Sequence, residues 1–162
     1  MKYYHGTDEI YLKHILKDGL QIVKGKNDSN GYISLTPNFG FTIYYSLKNL
    51  IKERKRSDPV IIKINLPSTY VLKLAKEGHI FGWHNNSHFK IKPENLEYET
   101  YELMFDIDIL PRYISGYYIP KDRSSIDNTI KYMSEKFIEN KEELKKKSLL
   151  IEKNWKFIKS RS

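Results

Sequence analysis

The chain of 162 residues has no cysteine. That absence excludes a disulfide framework, thiol nucleophiles and thiolate metal sites, and it leaves a cytoplasmic setting as the simplest expectation. No run of eighteen apolar residues occurs, and no apolar stretch follows a basic one at the N-terminus. Neither a membrane-spanning helix nor a secretory leader is therefore expected, and no membrane partner. Internal repeats are also missing, and the only local bias is the lysine run 145–147. Acidic residues fall short of basic ones, 20 against 28, for a formal charge of +8. With thirteen tyrosines, such a surface adds weight to a nucleic-acid or nucleotide partner. A lysine- and isoleucine-rich background composition produces the same charge, and on charge alone it is the stronger reading.

What is present suffices for one domain that buries roughly two-thirds of its unfolded surface. A single domain over 1–162 is expected, with a core at 1–120 and a basic helical segment at 121–162. Lys2-Tyr3-Tyr4-His5 suits a short strand ending in Gly6-Thr7-Asp8, where Thr7 or Asp8 can cap a helix over 9–18. Gly19 is the expected terminator of that helix. The polar stretch 24–31 reads as a loop, and Gly31–Thr36 alternates like a half-buried strand. Helical spacing follows over 38–56, ending in a basic run that suits the negative end of a helix dipole. Residues 59–67 form a β-branched strand, and 70–74 reads as another. Residues 77–91, rich in glycine and polar groups, read as a loop exposed around Asn85-Asn86. His84 and His88 have the spacing of zinc ligands on a helix, but helical context and a third ligand are missing, so no metal is expected.

Residues 98–107 and 113–119 read as two strands joined across Leu110-Pro111, with Thr100 and Glu102 on one face of the first. From Ser124 or Ser125, Ile126, Ile130, Met133 and Phe137 mark an amphipathic helix, which Leu144, Leu149, Leu150, Trp155 and Ile158 continue. Residues 121–162 hold twelve basic and seven acidic side chains. The element order lacks the regular alternation of a doubly wound sheet and indicates the α+β class.

Four features stand in sequence: His5-Gly6 at a strand end, Ser34 in a strand that opens a helix, Tyr45 eleven residues later, and Glu102 in a late strand. Singly, each has a structural explanation. Together, in three blocks across about 120 residues, they resemble the ADP-ribosyltransferase superfamily, in the branch of the poly(ADP-ribose) polymerases, diphtheria-type toxins and small bacterial or phage relatives. "YYHGTDEIYLKHILKDGL" resembles the family's strand ending in His-Gly, its helix, and the Ile-Leu, two residues, Gly-Leu that follow. "GYISLTPNFGFTIYYS" is similar to the family's second strand and helix, with Thr42 and Tyr45 eight and eleven positions after Ser34. "YELMFDIDILPRYISGYYI" resembles the strand of the catalytic glutamate and the hairpin after it.

The resemblance implies a split mixed β-sheet core with flanking helices and a C-terminal amphipathic helix. It implies NAD as co-substrate, cleaved at the nicotinamide glycosidic bond, with ADP-ribose passed to an acceptor. Glu102 and His5 are then the catalytic candidates. A carboxylate stabilises the cation that forms and helps to deprotonate the acceptor. His5 would bind a ribose hydroxyl of the adenosine half, and Gly6, with Thr7 beside it, would hold the carboxamide by its main chain. Tyr45, with Tyr44 next to it, would stack on nicotinamide, supported by Thr42. Ser34 stands where the family has a tyrosine, and Tyr32 lies two residues earlier on the same face. Either serves, and a serine there also fits an inactive pseudoenzyme. Thr100 replaces the Glu or Gln of arginine-modifying toxins, which argues against arginine as acceptor.

A short chain without a regulatory helical domain implies transfer of single units to a nucleic acid or an acidic protein. Family relatives also suggest an antitoxin or regulatory partner. Rival readings are an NAD-dependent RNA 2'-phosphotransferase, disfavoured because Lys2 but no arginine lies near His5, and an NAD glycohydrolase, in which water is the acceptor. A basic nucleic-acid-binding domain explains the composition but not the three ordered blocks.

Overall fold

The computed structural model describes residues 1–22, 31–42, 58–84, 87–98, 102–127, 146 and 149–160. Its strands are β1 (Lys2–Asp8), β2 (Ile33–Leu35), β3 (Pro59–Asn65), β4 (Ile80–His84), β5 (Ser87–Lys90), β6 (Leu103–Phe105), β7 (Ile114–Pro120) and β8 (Trp155–Lys159). Among the described residues the helices are α1 (Leu12–Asp18), α2 (Phe39–Thr42) and α3 (Ser68–Lys76), 123–127 and 149–152 are also helical, and 3-10 turns stand at Glu9–Tyr11, Pro93–Tyr98 and Pro111–Tyr113. No described helix is long and apolar enough to cross a membrane.

The strands form two four-stranded sheets, ordered β1-β3-β7-β8 and β2-β6-β4-β5. The α+β class holds. Every described pairing is antiparallel, however, so the expected mixed sheet is corrected. The two sheets meet at one seam, where Tyr4 N donates to Thr36 O at 2.8 Å and Thr36 N returns to Tyr4 O at 3.0 Å.

β3 is the centre of the first sheet, and its Val60, Ile61, Ile62 and Ile64 are fully buried. A strand covered on both faces needs a near-continuous apolar run, which "PVIIKIN" supplies. On one side, Val60, Ile62 and Ile64 join Tyr3, Ile33, Leu35, Ile80, Leu103, Phe105 and helix residues Val71 and Leu74 in a core drawn from both sheets. On the other side lie aromatic rings: Phe39 against Tyr4 at 5.5 Å, against Tyr118 at 4.8 Å and against Trp155 at 5.9 Å. Burial pushes the Tyr3 and Tyr4 hydroxyls up to about 12, for Tyr4 with a smaller contribution from the Glu152 carboxylate.

Several elements differ from their sequence-based expectation. β1 does not stop at His5 but runs to Asp8, because β3 offers partners as far as Pro59. Asp8 is the cap, its carboxylate accepting from Ile10 N at 2.9 Å. The expected strand at 70–74 is α3, because Val71, Leu74 and Ala75 are buried at helical spacing while Leu72 is exposed. The expected loop at 77–91 contains the hairpin β4–β5. Gly82 hid it by breaking the alternation: a Cβ there would stand 2.5 Å from the Phe89 ring, which covers it. Asn85-Asn86 itself lies outside the described residues. Tyr98 belongs to a 3-10 turn and β6 begins only at Leu103, whereas Tyr113 closes another 3-10 turn before β7. The C-terminal helix is corrected at its end. Trp155 to Lys159 form β8 on the β7 edge, with Trp155 opposite Pro120 and Ile158 opposite Tyr117. The expected helix over 38–56 is described only at its start, in α2, and the one from Ser124 or Ser125 is helical at 124–127 and 149–152. Residues 43–56 and 128–145 fall outside the described residues, as does the loop at 24–30, and 31 begins a described turn.

Candidate functional site

His5 sits in β1 two residues past Tyr3, so both side chains leave the same face of the strand. Its Nδ1 lies 2.8 Å from the main-chain oxygen of Ser34 in β2. A carbonyl only accepts, so Nδ1 carries the proton. Burial lowers the imidazole's affinity for a second proton, and the hydrogen bond to Ser34 O opposes that in smaller measure. The neutral ring therefore presents Nε2 as an acceptor.

The hydrogen bonding of β1 decides where Gly6 points. Met1 O accepts from Leu66 N, and Glu9 N donates to Asp58 O, so odd-numbered residues of β1 face β3. Even-numbered ones face the opposite edge, as Tyr4 does in binding Thr36. The N–H and C=O of Gly6 consequently point to that same edge, toward the seam, with no side chain of its own in the way. Thr7 pairs with Val60, and its main chain turns back to β3.

Across the seam, Ser34 joins both sides of the site. Its main chain holds His5, and its hydroxyl donates to Oε1 of Glu102. β2 and β6 make this possible because Ser34 pairs with Met104, so Glu102, two residues before Met104, shares the face of Ser34. The result is one line of contacts, His5 to Ser34 to Glu102, that joins residues from three parts of the chain. Downstream, Thr36 Oγ1 accepts from Asn38 N at 3.1 Å and so turns the chain into α2.

The remaining sequence candidates divide. Thr42 is buried, and its hydroxyl donates to Asn38 O at 3.4 Å within the turn of α2. Tyr44, Tyr45 and Thr100 lie outside the described residues. Tyr32 shares the face of Ser34 but turns to β5, where its ring stacks on His88 at 4.6 Å and meets Phe81 edge-on at 5.1 Å. His88 in turn meets Trp83 at 4.5 Å. The sequence reading missed this ladder of rings. Its signal was present, since Phe81 and Trp83 alternate on one side of Asn85-Asn86 and His88 and Lys90 on the other.

Comparison with known protein families, curated proteins and solved structures finds no match to the chain. Any function assigned to it therefore rests on its own residues and their geometry.

Proposed function

We propose that the chain is an NAD-dependent mono-ADP-ribosyltransferase with an ADP-ribosyltransferase-like split of its two sheets. The observation that supports this most is the contact line from His5 through Ser34 to Glu102 at the seam, with the Gly6 main chain directed to the same edge. These are four of the residues that carry the family resemblance. Their chemistry fits the co-substrate. A neutral imidazole Nε2 can accept from a ribose hydroxyl, and an amide N–H and C=O on one residue can pair with a carboxamide.

NAD supplies a ribose whose bond to nicotinamide breaks with the electron pair leaving on the nicotinamide ring. The acceptor's nucleophilic atom bonds to the same carbon, and its proton passes to the Glu102 carboxylate and on to water. Glu102 does two things in this scheme. Its negative charge opposes the positive charge that grows on the sugar, and its free oxygen takes the proton. Ser34 fixes the other oxygen, so Ser34 is a positioning residue. A serine in place of the family tyrosine leaves this task intact, because a hydroxyl is what the carboxylate requires.

The test is transfer of label from NAD to nucleic acids and to cell lysate by the wild-type chain and by Glu102→Gln. The amide keeps the Ser34 hydrogen bond but loses charge and basicity. Transfer should drop by about 10²- to 10³-fold, while NAD affinity changes by less than about tenfold. Equal transfer by Glu102→Gln would remove the glutamate from the mechanism. A wild-type chain that neither binds nor consumes NAD would end the enzymatic reading. Free ADP-ribose as sole product would select the glycohydrolase, and release of 2'-phosphate from RNA the phosphotransferase.

A further inference from the structure

The outer face of the second sheet carries an exposed aromatic surface that the cleavage of NAD does not use. Antiparallel registers set Phe81 opposite Met104 and Lys90, and Trp83 opposite His88. Residues two apart share a face, so Tyr32, Ser34, Phe81, Trp83, His88, Lys90, Met104 and Glu102 all belong to this one. The Tyr32, His88 and Trp83 rings form a continuous ladder across it. Trp83 ends the ladder with 52 % of its surface exposed, at the end of the sheet where Glu102 lies. Lys90 is exposed too, two residues from His88, or about 7 Å along the strand. Apart from Glu102, the carboxylate nearest this sheet's strands in sequence is Asp106, at the opposite end of β6, where it is held by His79 at 2.8 Å.

We propose that this face is the acceptor-binding surface and that the acceptor is a single-stranded nucleic acid, one of whose bases stacks on Trp83 beside Glu102. The proposal rests on the transferase reading above. Charge complementarity and ring chemistry select the occupant. An anionic backbone suits the exposed Lys90 and a chain of net charge +8. An acidic protein would satisfy the charge, but the carboxylates that carry that charge do not stack on rings, whereas every nucleotide brings a phosphate and a ring together. A duplex would also satisfy it, but its bases are already stacked on one another, whereas single strands offer open faces to aromatic side chains. A base seated on Trp83 brings a ring or exocyclic nitrogen to the carboxylate. That nitrogen bonds to the ribose carbon as nicotinamide departs with the bonding pair, and its proton goes to Glu102.

Binding is measured without NAD, so that it stands or falls apart from the transferase reading. The full chain is titrated with fluorescein-labelled oligonucleotides of mixed sequence, about twelve nucleotides long, as single-stranded DNA, single-stranded RNA and duplex DNA, and with polyglutamate. Either single strand should bind more tightly than duplex or polyglutamate. Binding should also quench tryptophan fluorescence, a signal that reads Trp83 because the second tryptophan, Trp155, is buried at 3 % exposure. Trp83→Ala should weaken binding about 5- to 150-fold, and Trp83→Phe should recover most of the loss. Circular dichroism of both variants checks that the exposed position tolerates the change. Undetectable binding, equal binding of duplex, preference for polyglutamate, or binding indifferent to Trp83→Ala would each overturn the proposal. If nicotinamide is still released from NAD in that case, the transferase reading survives without this surface.

Discussion

His5 is held neutral by the desolvation of its ring, which outweighs the opposing effect of the Ser34 carbonyl that accepts from its one N–H. Its folded-state pKa lies below the ordinary histidine value of about 6.5, so the folded state binds fewer protons than the unfolded one in the window beneath that value. The sign follows from the difference in bound protons. The contribution is present in full above the unfolded pKa and is lost as pH falls toward the folded one. His5→Asn keeps a donor for Ser34 O but does not titrate. Urea midpoints of wild type and His5→Asn between pH 7.5 and 5 should therefore show a steeper acid loss in the wild type. Parallel curves would mean that His5 is not desolvated in solution. The same neutrality bears on function, because a protonated ring would have no acceptor left for a ribose hydroxyl. This residue was legible in the sequence as the partner of a glycine. Its link to Ser34 O was not, since a main-chain carbonyl leaves no trace in residue identities.

Elements here are set by what they pack against as much as by their own pattern. Tyr70-Val71-Leu72-Lys73-Leu74 satisfies a two-residue period and a helical one equally well. The core decides for the helix by taking Val71, Leu74 and Ala75 and leaving Leu72 in water. Gly19 shows the opposite case, in which one residue was readable and its role was larger than expected. It ends α1 with N–H donating to Ile15 O at 2.8 Å, in a backbone conformation with φ of +81°. A Cβ would also meet the main-chain oxygen of Ile109 at 2.1 Å, so the glycine is the point at which α1 closes on the segment between β6 and β7. Leu20 and Ile109 then exchange hydrogen bonds at 2.9 Å. Gly19→Ala combines left-handed strain with a backbone clash and should cost about 3 kcal/mol, read as a lower urea midpoint. A change under about 0.5 kcal/mol would show that the helix end shifts freely.

At the scale of the whole molecule, the first sheet depends on chain segments far apart in sequence. β8 closes its β7 edge, and Trp155 carries the last strand into the aromatic cluster with Phe39. Tyr118 donates to Glu152 Oε1 at 2.7 Å, a second tie from the centre of the sheet to the C-terminal region. Trp155→Ala should therefore cost about 3–5 kcal/mol, a large share of a typical total stability of about 5–15 kcal/mol. Denaturant unfolding measures it. A cost under about 1 kcal/mol would show that Trp155 does not anchor β8 to the aromatic cluster. Removing residues 155–162 should also open the β7 edge and promote association, measured as a rise in apparent mass with concentration.

The sequence by itself determined the α+β class, the buried strand β3, the helix behind His5, and the candidates His5, Gly6, Ser34 and Glu102. These depend on local signals: β-branched runs, a cap and its terminating glycine, and motif order. Only the tertiary structure decided that the strands pair antiparallel in two sheets, and that Trp155 to Lys159 form a strand. It also decided that Ser34 stands between His5 and Glu102, and that Trp83, His88 and Tyr32 form a ladder of rings on the sheet face that Ser34 and Glu102 share. Those outcomes depend on cross-strand register and on which edge stands open, and both arise between segments that are distant along the chain.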